Sequence, residues 1–308
     1  MRNILLATEK PFPDEAVKQI AAVTEQAGYR LKVLAAYSSA SDLKIAVRDA
    51  DGLIVRSDLV DRQILEAAPK LKIVIRAGAG YDNIDLSCAS ERSVVVMNTP
   101  GQNANAVAEL TIGLAIYGVR QFFSGKTGGE LRGRSLGLHG YGYVARNVHR
   151  MARGMGMDVK VYTRYSKAQA VSEGLTVTGS LEELYALSDI VSVHVPARGE
   201  HIGSVSLKIL NHMKKDGILI NTARKEVINE ADLCAFMELR KDIRYLSDII
   251  PDMEQVFTEK FADRCFFTPK KIGAQTEEAN TNAGVAAAEQ IISFFERGDE
   301  TFRVNRKS

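Results

Sequence analysis

The stretch "GLHGYGYVA" carries the first chemistry in the chain: Gly140, Gly142 and Ala145 form G-x-G-x-x-A between an apolar run and a helical pattern. The first glycine makes a tight turn, the second lets a pyrophosphate approach the backbone, and the small third residue lets helix pack on strand. Tyr143 and Val144 then open a helix whose N-terminus supplies partial positive charge. The ribose-reading carboxylate of such a site is expected about 20 residues on, at the end of the next strand. Thr163 stands there, followed by Arg164 and Lys167. A carboxylate would bind both ribose hydroxyls and repel a 2′-phosphate, whereas a threonine beside cations tolerates one. NAD(H) is the expected cofactor and NADP(H) an open alternative, with Arg164 reading equally well as a cation pointing into water.

A second stretch, "FFTPKKIGAQTEEAN" from Phe266 to Asn280, runs an apolar pair into Thr268, Pro269, Lys270 and Lys271 before Gly273 and a helix start. Either lysine is chemically employed there or both are solvated. The five histidines give no comparable signal. His139, entering the glycine turn, and His194, where "SVHVP" ends against Pro196, read as packed or backbone-bonded, and His149, His201 and His212 as surface or core residues. Cys88, Cys234 and Cys265 are far apart and lack metal-ligand spacing, so no metal site and no Ser-His-Asp arrangement is expected.

These residues need a frame. Short apolar runs, "NILLA", "LKVLAA", "GLIV", "LKIVIRA" and "VVVMN", alternate with helices such as Asp14 to Ala27, closed by Gly28. Their near-continuous Val, Ile and Leu content implies strands covered on both faces, hence parallel sheet with crossover helices. After a long helical stretch from Asn103 to Phe123, a second series follows: "SLGLHG", "VKVYT", "IVSVHV", "GILIN", "IRYLSD" and "CFFT". The expected fold class is α/β, with two doubly wound parallel-sheet units and hinges at 98–103 and after Gly273. The final helix, Thr276 to Arg297, either packs locally or returns the chain to the first unit and sets "FRVN" beside its sheet.

Composition excludes several function classes. A net charge of +2 over 40 basic and 38 acidic residues leaves no basic tract that would track a phosphate backbone, so no nucleic-acid partner is expected. No apolar run is long enough to span a bilayer, and the first residues lack a signal-peptide core. The cysteine usage fits a reducing compartment. A cytoplasmic protein acting on a small molecule is the expectation.

Several stretches together resemble the D-2-hydroxyacid dehydrogenases, in that family's order: "RAGAGYDNID", "MNTPGQNANAVAEL", "LGLHGYGYVA", "INTARKEVINEADL" and "TPKKIGAQTEEA". Within the family they are most similar to a short-form branch of phosphoglycerate dehydrogenases that lacks a C-terminal regulatory domain. The resemblance implies a flavodoxin-like substrate-binding or lid domain, 1–99 plus 276–308, with a Rossmann dinucleotide-binding domain, 100–275, inserted in it, and substrate held between them. It implies a homodimer built on the long helix after "NTPGQN".

By the same resemblance, Arg224 grips the substrate carboxylate and polarises its C2 oxygen. The amides of Gly78 and Ala79 receive that carboxylate, and Arg56 and Ser57 read a phosphate. His194, Val195, Pro196, Thr222, Ala223, Gly273 and Ala274 line the cofactor, with Asp248 near the nicotinamide carboxamide. The chain departs from the family twice. Met253 stands where the family has the glutamate of a Glu-His relay, with Glu254 one residue late, and the two lysines stand where the histidine belongs. Lys271 is the expected proton carrier, since an ammonium acid has no need of a carboxylate to orient it.

The activity implied is oxidation of 3-phosphoglycerate for serine synthesis. An NADPH-linked glyoxylate or hydroxypyruvate reductase is the nearer alternative, and a nicotinamide-sensing scaffold without turnover the more distant one. Phosphate dependence separates the first two, and any turnover excludes the third.

Overall fold

A computed structural model describes residues 1–305; residues 306–308, the last of the expected lid segment, lie outside the described residues. The chain divides into one unit formed by Met1–Asn103 and the chain from Gln275 onward, and a second formed by Ala104–Ala274.

The first unit is a five-stranded sheet of β1 (Asn3–Thr8), β2 (Arg30–Ala35), β3 (Gly52–Val55), β4 (Ile73–Arg76) and β5 (Val95–Asn98), in the order β2-β1-β3-β4-β5 and parallel throughout. All five were legible as apolar runs. Successive side chains along a strand point to opposite faces, and the two faces separate cleanly. Leu5, Leu53, Val55, Val74 and Val96 pack into one core, and Ile4, Leu6, Ile54, Ile73 and Ile75 into the other. The exception is β2, an edge strand whose residues are exposed or half-buried.

The final helix, Glu277–Arg297, belongs to this unit. Thr276 caps it by accepting from the Ala279 N–H at 3.1 Å, and Gly298 ends it in the left-handed conformation, φ 66°. Its Ala283, Ala287, Ala288 and Ile291 cover the Ile4 and Leu6 face beside Ala16 and Ile20 of the helix Asp14–Gln26. Small residues let the two helices approach so closely that a Cβ on Gly284 would lie 2.7 Å from Ile20 Cδ1. "FRVN" then runs beside β5. The Val304 N–H donates to Val96 O at 2.8 Å, and Arg303 pairs antiparallel with Met97.

The second unit is a seven-stranded parallel sheet: β6 (Ser135–His139), β7 (Asp158–Tyr162), β8 (Thr176–Val177), β9 (Ile190–Val193), β10 (Ile218–Asn221), β11 (Arg244–Ser247) and β12 (Cys265–Phe267), in the order β12-β11-β10-β9-β6-β7-β8. Six strands were expected. The two-residue β8 has too short an apolar run to signal itself. Strand order reverses between β6 and β9, which opens a crevice at their carboxyl ends.

The long helix also ends earlier than its sequence suggests. It spans Ala104–Val119, and Gln121, Phe122 and Phe123 then turn left-handed at φ 55°, 56° and 52°. Tyr117 holds both phenylalanine rings edge-on at 5.1 Å, and Arg244 donates to Gln121 Oε1 at 3.1 Å. Among the described residues no helix is long and apolar enough to cross a membrane.

Asn305 ties the returning segment to β5. Its Oδ1 accepts the Val96 N–H at 2.9 Å, and its Nδ2 donates to Val94 O at 2.9 Å and Ser90 Oγ at 3.1 Å. Asn305→Ala leaves two buried backbone groups unpaired. It should lower stability by about 1–3 kcal/mol, read as a lower urea midpoint at unchanged denaturant slope.

Candidate active site

The crevice at the switch point is a cavity of about 860 Å³. Gly140, Gly142, Thr163, Arg164, His194, Val195 and Pro196 line it, all singled out from the sequence. The glycine turn has the geometry its sequence demands. Gly140 sits at φ 101°, and a Cβ there would lie 2.8 Å from Val195 Cγ1 and 2.9 Å from the His194 carbonyl. Gly142 meets nothing within 4 Å, so its side of the loop is open to a bound group. From Gly142 the helix Tyr143–Gly154 begins with no side chain capping its first N–H groups. Ala145 is buried under it, Val144 is half-buried and Tyr143 is exposed, with the Arg146 guanidinium 5.6 Å from its ring centre.

This is an anion cradle: orphan backbone donors, a helix N-terminus and a wall that excludes side chains. The residues present therefore fit a dinucleotide pyrophosphate.

At the end of β7, Thr163 is buried, and its Oγ1 accepts the Ser166 N–H at 3.4 Å. Arg164 projects from the next position and forms an ion pair with Glu200, on the turn after β9. Glu200 was not visible as a site residue in the sequence. It lies across the crevice from Arg164, and no spacing rule links them, though any residue following a switch-point strand is a candidate to line such a crevice.

His139 and His194 form the floor. His139 is buried, with Nδ1 unpartnered, and its pKa is pushed down to about 3 by burial and then by the neighbouring His201 and His194. The His194 residue is half-buried, but its Nε2 is shielded and unpartnered, and burial pushes its pKa down to about 3. Both rings are neutral at physiological pH.

The second cluster is built on the loop after β10 and the loop after β12. Arg224 Nη1 donates to its neighbour's carbonyl, Ala223 O, at 2.8 Å, and Lys271 Nζ donates to that same oxygen at 3.1 Å. Both side chains are exposed. Even so, loss of hydration around Nζ is the largest effect on Lys271, followed by the Arg224 charge. Against the weaker opposing pull of Asp248 and Glu226, these push its pKa down to about 8. Lys270 is exposed on the same loop.

The loop is held by Asp248, which is fully buried. Its Oδ1 accepts from Thr268 Oγ1 and the Ile272 N–H, each at 2.9 Å, and its Oδ2 from the Gly273 N–H at 2.8 Å. A Cβ on Gly273 would lie 2.8 Å from that Oδ2. Thr222 is buried, with its hydroxyl 3.1 Å from that of Thr111, and Ala274 is half-buried beyond Gly273. Glu254 is exposed at the start of the helix Glu254–Lys260, while Met253 donates its N–H to Glu230.

The remaining sequence-derived residues lie in the first unit. Arg76 Nε donates to Arg56 O at 2.9 Å, and the Arg76 guanidinium fills the space that a Cβ on Gly78 would take. Gly78 is at φ 143°, its carbonyl accepting the Thr99 N–H at 3.0 Å, and Asn98 Nδ2 donates to Ala79 O at 2.7 Å. Ala79 and Ser57 are exposed. The Arg56 guanidinium spans Lys10 O, Pro11 O and Asn280 Oδ1, which binds it at 2.7 Å. The sequence reading missed Arg76, whose role depends on the turn at Gly78. Among the described residues no cluster could hold a metal ion.

The buried imidazoles set an acid limit. A histidine whose folded pKa is about 3, against an ordinary ~6.5, stays neutral when folded but takes a proton when unfolded. Its contribution is intact above the ordinary value and is lost as pH falls from there toward the folded value. His139→Gln should therefore flatten the loss of stability between neutral and weakly acidic pH, measured by urea unfolding along a pH series. An unchanged slope would show that His139 is not the group responsible.

Comparison with known proteins places this geometry in a family. Residues 5–305 match the D-isomer specific 2-hydroxyacid dehydrogenase catalytic domain. The chain is 32% identical over 306 residues to D-3-phosphoglycerate dehydrogenase of Methanocaldococcus jannaschii, covering 93% of this chain but 56% of that protein. It thus spans little more than half of that relative's length. It is 30% identical over 269 residues to glyoxylate reductase of Thermococcus litoralis, covering 80% of this chain and 81% of the other. The crystal structure of NAD+-bound 3-phosphoglycerate dehydrogenase of Entamoeba histolytica superposes with a TM-score of 0.86 at 43% identity, covering 99% of both chains. With the match running through both units, the chain belongs to the D-isomer specific 2-hydroxyacid dehydrogenase family.

Proposed function

We propose that the chain oxidises and reduces a D-2-hydroxy acid with a nicotinamide cofactor, and that 3-phosphoglycerate is its substrate. The observation that carries this reading is the meeting of Arg224 and Lys271 at the Ala223 carbonyl. A fixed fork for a carboxylate and an amine of lowered pKa are thereby put side by side. The phosphate-bearing substrate is favoured by the names of the relatives above, by Arg56 and by the cationic Arg76 loop. The glyoxylate reductase that matches over four-fifths of both chains favours a second reading, an NADPH-linked glyoxylate or hydroxypyruvate reductase. A catalytically silent scaffold has no comparable support, since it has no use for a lysine held at about 8.

Gly140, Gly142, Tyr143 and Val144 would hold the pyrophosphate, Thr163 and Arg164 the adenosine ribose, and His194, Val195 and Pro196 the wall of the site. The nicotinamide end would meet Thr222, Ala223, Gly273 and Ala274. Asp248, whose oxygens already accept three hydrogen bonds, acts there chiefly by fixing the loop. When bound, the nicotinamide exchanges hydride with C2 of the acid.

The chain's own residues do the rest. Arg224 binds the carboxylate through two parallel N–H donors and orients the C2 oxygen. Lys271 holds the proton that this oxygen gains or loses. Below about 8 the ammonium is present and can donate to a keto oxygen; above it the free amine can take the hydroxyl proton. A homodimer belongs to the same reading. The long helix leaves Asn105, Glu109 and Gly113 exposed along one face, and sedimentation should give twice 33.7 kDa.

Oxidation of 3-phosphoglycerate should rise with pH through about 8 and then level, while reduction of the keto acid should hold at neutral pH and fade above about 8. Lys271→Ala should remove both arms and most of kcat, and Lys270→Ala should leave them nearly intact. Arg224→Lys keeps the charge but loses the fork. It should cut kcat/KM by roughly two orders of magnitude or more with cofactor affinity unmoved. Steady-state rates along a pH series, with 3-phosphoglycerate, glycerate and glyoxylate in parallel, check all of these. A higher kcat/KM for the unphosphorylated acids would favour the reductase.

A further inference from the structure

We infer that Glu200 sets the cofactor preference, giving the crevice NAD(H) over NADP(H) in place of the carboxylate missing from the end of β7. The inference rests on the dinucleotide reading of the crevice. Sequence alone leaves Thr163 and Arg164 looking hospitable to a 2′-phosphate, but the cation of the two is not free to take one. The Arg164 guanidinium is paired with Glu200, and Thr163, whose Oγ1 accepts the Ser166 N–H, brings no charge of its own. Both members of the pair line the same cavity as Gly140 and Gly142, Arg164 from the β7 side and Glu200 from the turn after β9.

Charge counting along the lining supports the same conclusion. Its charged side chains are Arg164, Arg198, Glu182 and Glu200, two of each sign, and Glu182 is itself engaged by Lys208. With Glu182 so occupied, Arg164, Arg198 and Glu200 leave the lining one charge positive, and without Glu200 it is two charges positive. A 2′-phosphate is close to a dianion. To reach Arg164 it must displace the carboxylate and then share the rim with it, and like charges so placed are strongly unfavourable. A ribose hydroxyl has no such conflict and can donate to the Glu200 carboxylate, the role an acidic residue at the strand end otherwise fills. Arg164 is then a positioning residue that holds Glu200 over the crevice.

The test is binding to the full-length protein, without turnover. Dissociation constants for NADH and NADPH are read from nucleotide fluorescence, and those for 5′-AMP and 2′,5′-ADP from competition. The wild type should bind NADH and 5′-AMP more tightly than their 2′-phosphorylated counterparts. Glu200→Gln, a change at an exposed side chain, should tighten NADPH and 2′,5′-ADP about tenfold, with a steeper salt dependence, and move NADH by less than about threefold. Adding Arg164→Ala should abolish that gain. Wild-type protein that prefers NADPH, or a Glu200→Gln variant with an unaltered NADPH-to-NADH ratio, would overturn the inference and leave the dinucleotide reading standing. Failure of every nucleotide to bind the wild type would sink that reading and the inference with it.

Discussion

A carboxylate buried without partners would be among the costliest groups a fold could hold. Asp248 escapes that cost by accepting from one hydroxyl and two backbone amides, all on the loop from Thr268 to Gly273. The arrangement works in both directions. The loop neutralises the charge, and the charge fixes the loop, with Gly273 the only residue type that fits against Oδ2. Because two of the three donors are main-chain groups immediately after Lys271, the lysine is held in register, and its ammonium reaches Ala223 O beside Arg224. An isolated pair of cations repels. Here the shared carbonyl and the charges of Asp248 and Glu226 keep the two together while leaving the lysine easier to deprotonate than a free one.

On the proposed reading, an architectural solution would stand in for the family's relay of glutamate and histidine. A histidine ring must be oriented because only one edge of it faces the reaction, and a neighbouring carboxylate does that work. An ammonium presents three equivalent donors, so it needs placement but no orientation. Placement comes from the backbone, through Asp248. Met253 and the exposed Glu254 take no part in it.

How much of this was legible in the sequence depends on range. Strands β1, β3, β4 and β5 and the first sheet's two-faced core were readable because apolar continuity is a local property. The glycine turn was readable because its demands, on Gly140 above all, act within a few residues. By contrast, Thr176–Val177 is too short to announce itself as a strand, and the alanine-rich final helix fits equally well against either unit. Only its packing on Ile20 and Ile4 decides. Lys270 and Lys271 differ by a single position, and the contact of Lys271 with Ala223 O depends on a loop held by Asp248, more than twenty positions upstream. Glu200 and Arg164 meet only because β6 and β9 become neighbours, a long-range fact that no short window contains.

The packing of the final helix on the first sheet has a consequence for how the protein is made. The final helix, which shares with Ala16 and Ile20 the cover of the face bearing Ile4, Leu6, Ile54, Ile73 and Ile75, leaves the ribosome only after the whole of the second unit has been synthesised. At ordinary translation rates that is a delay of roughly ten to thirty seconds. During it part of the isoleucine-rich face of the nascent first sheet stays uncovered, and by its end the second unit has all of its strands. The order of domain completion is therefore the reverse of the order in which the domains begin.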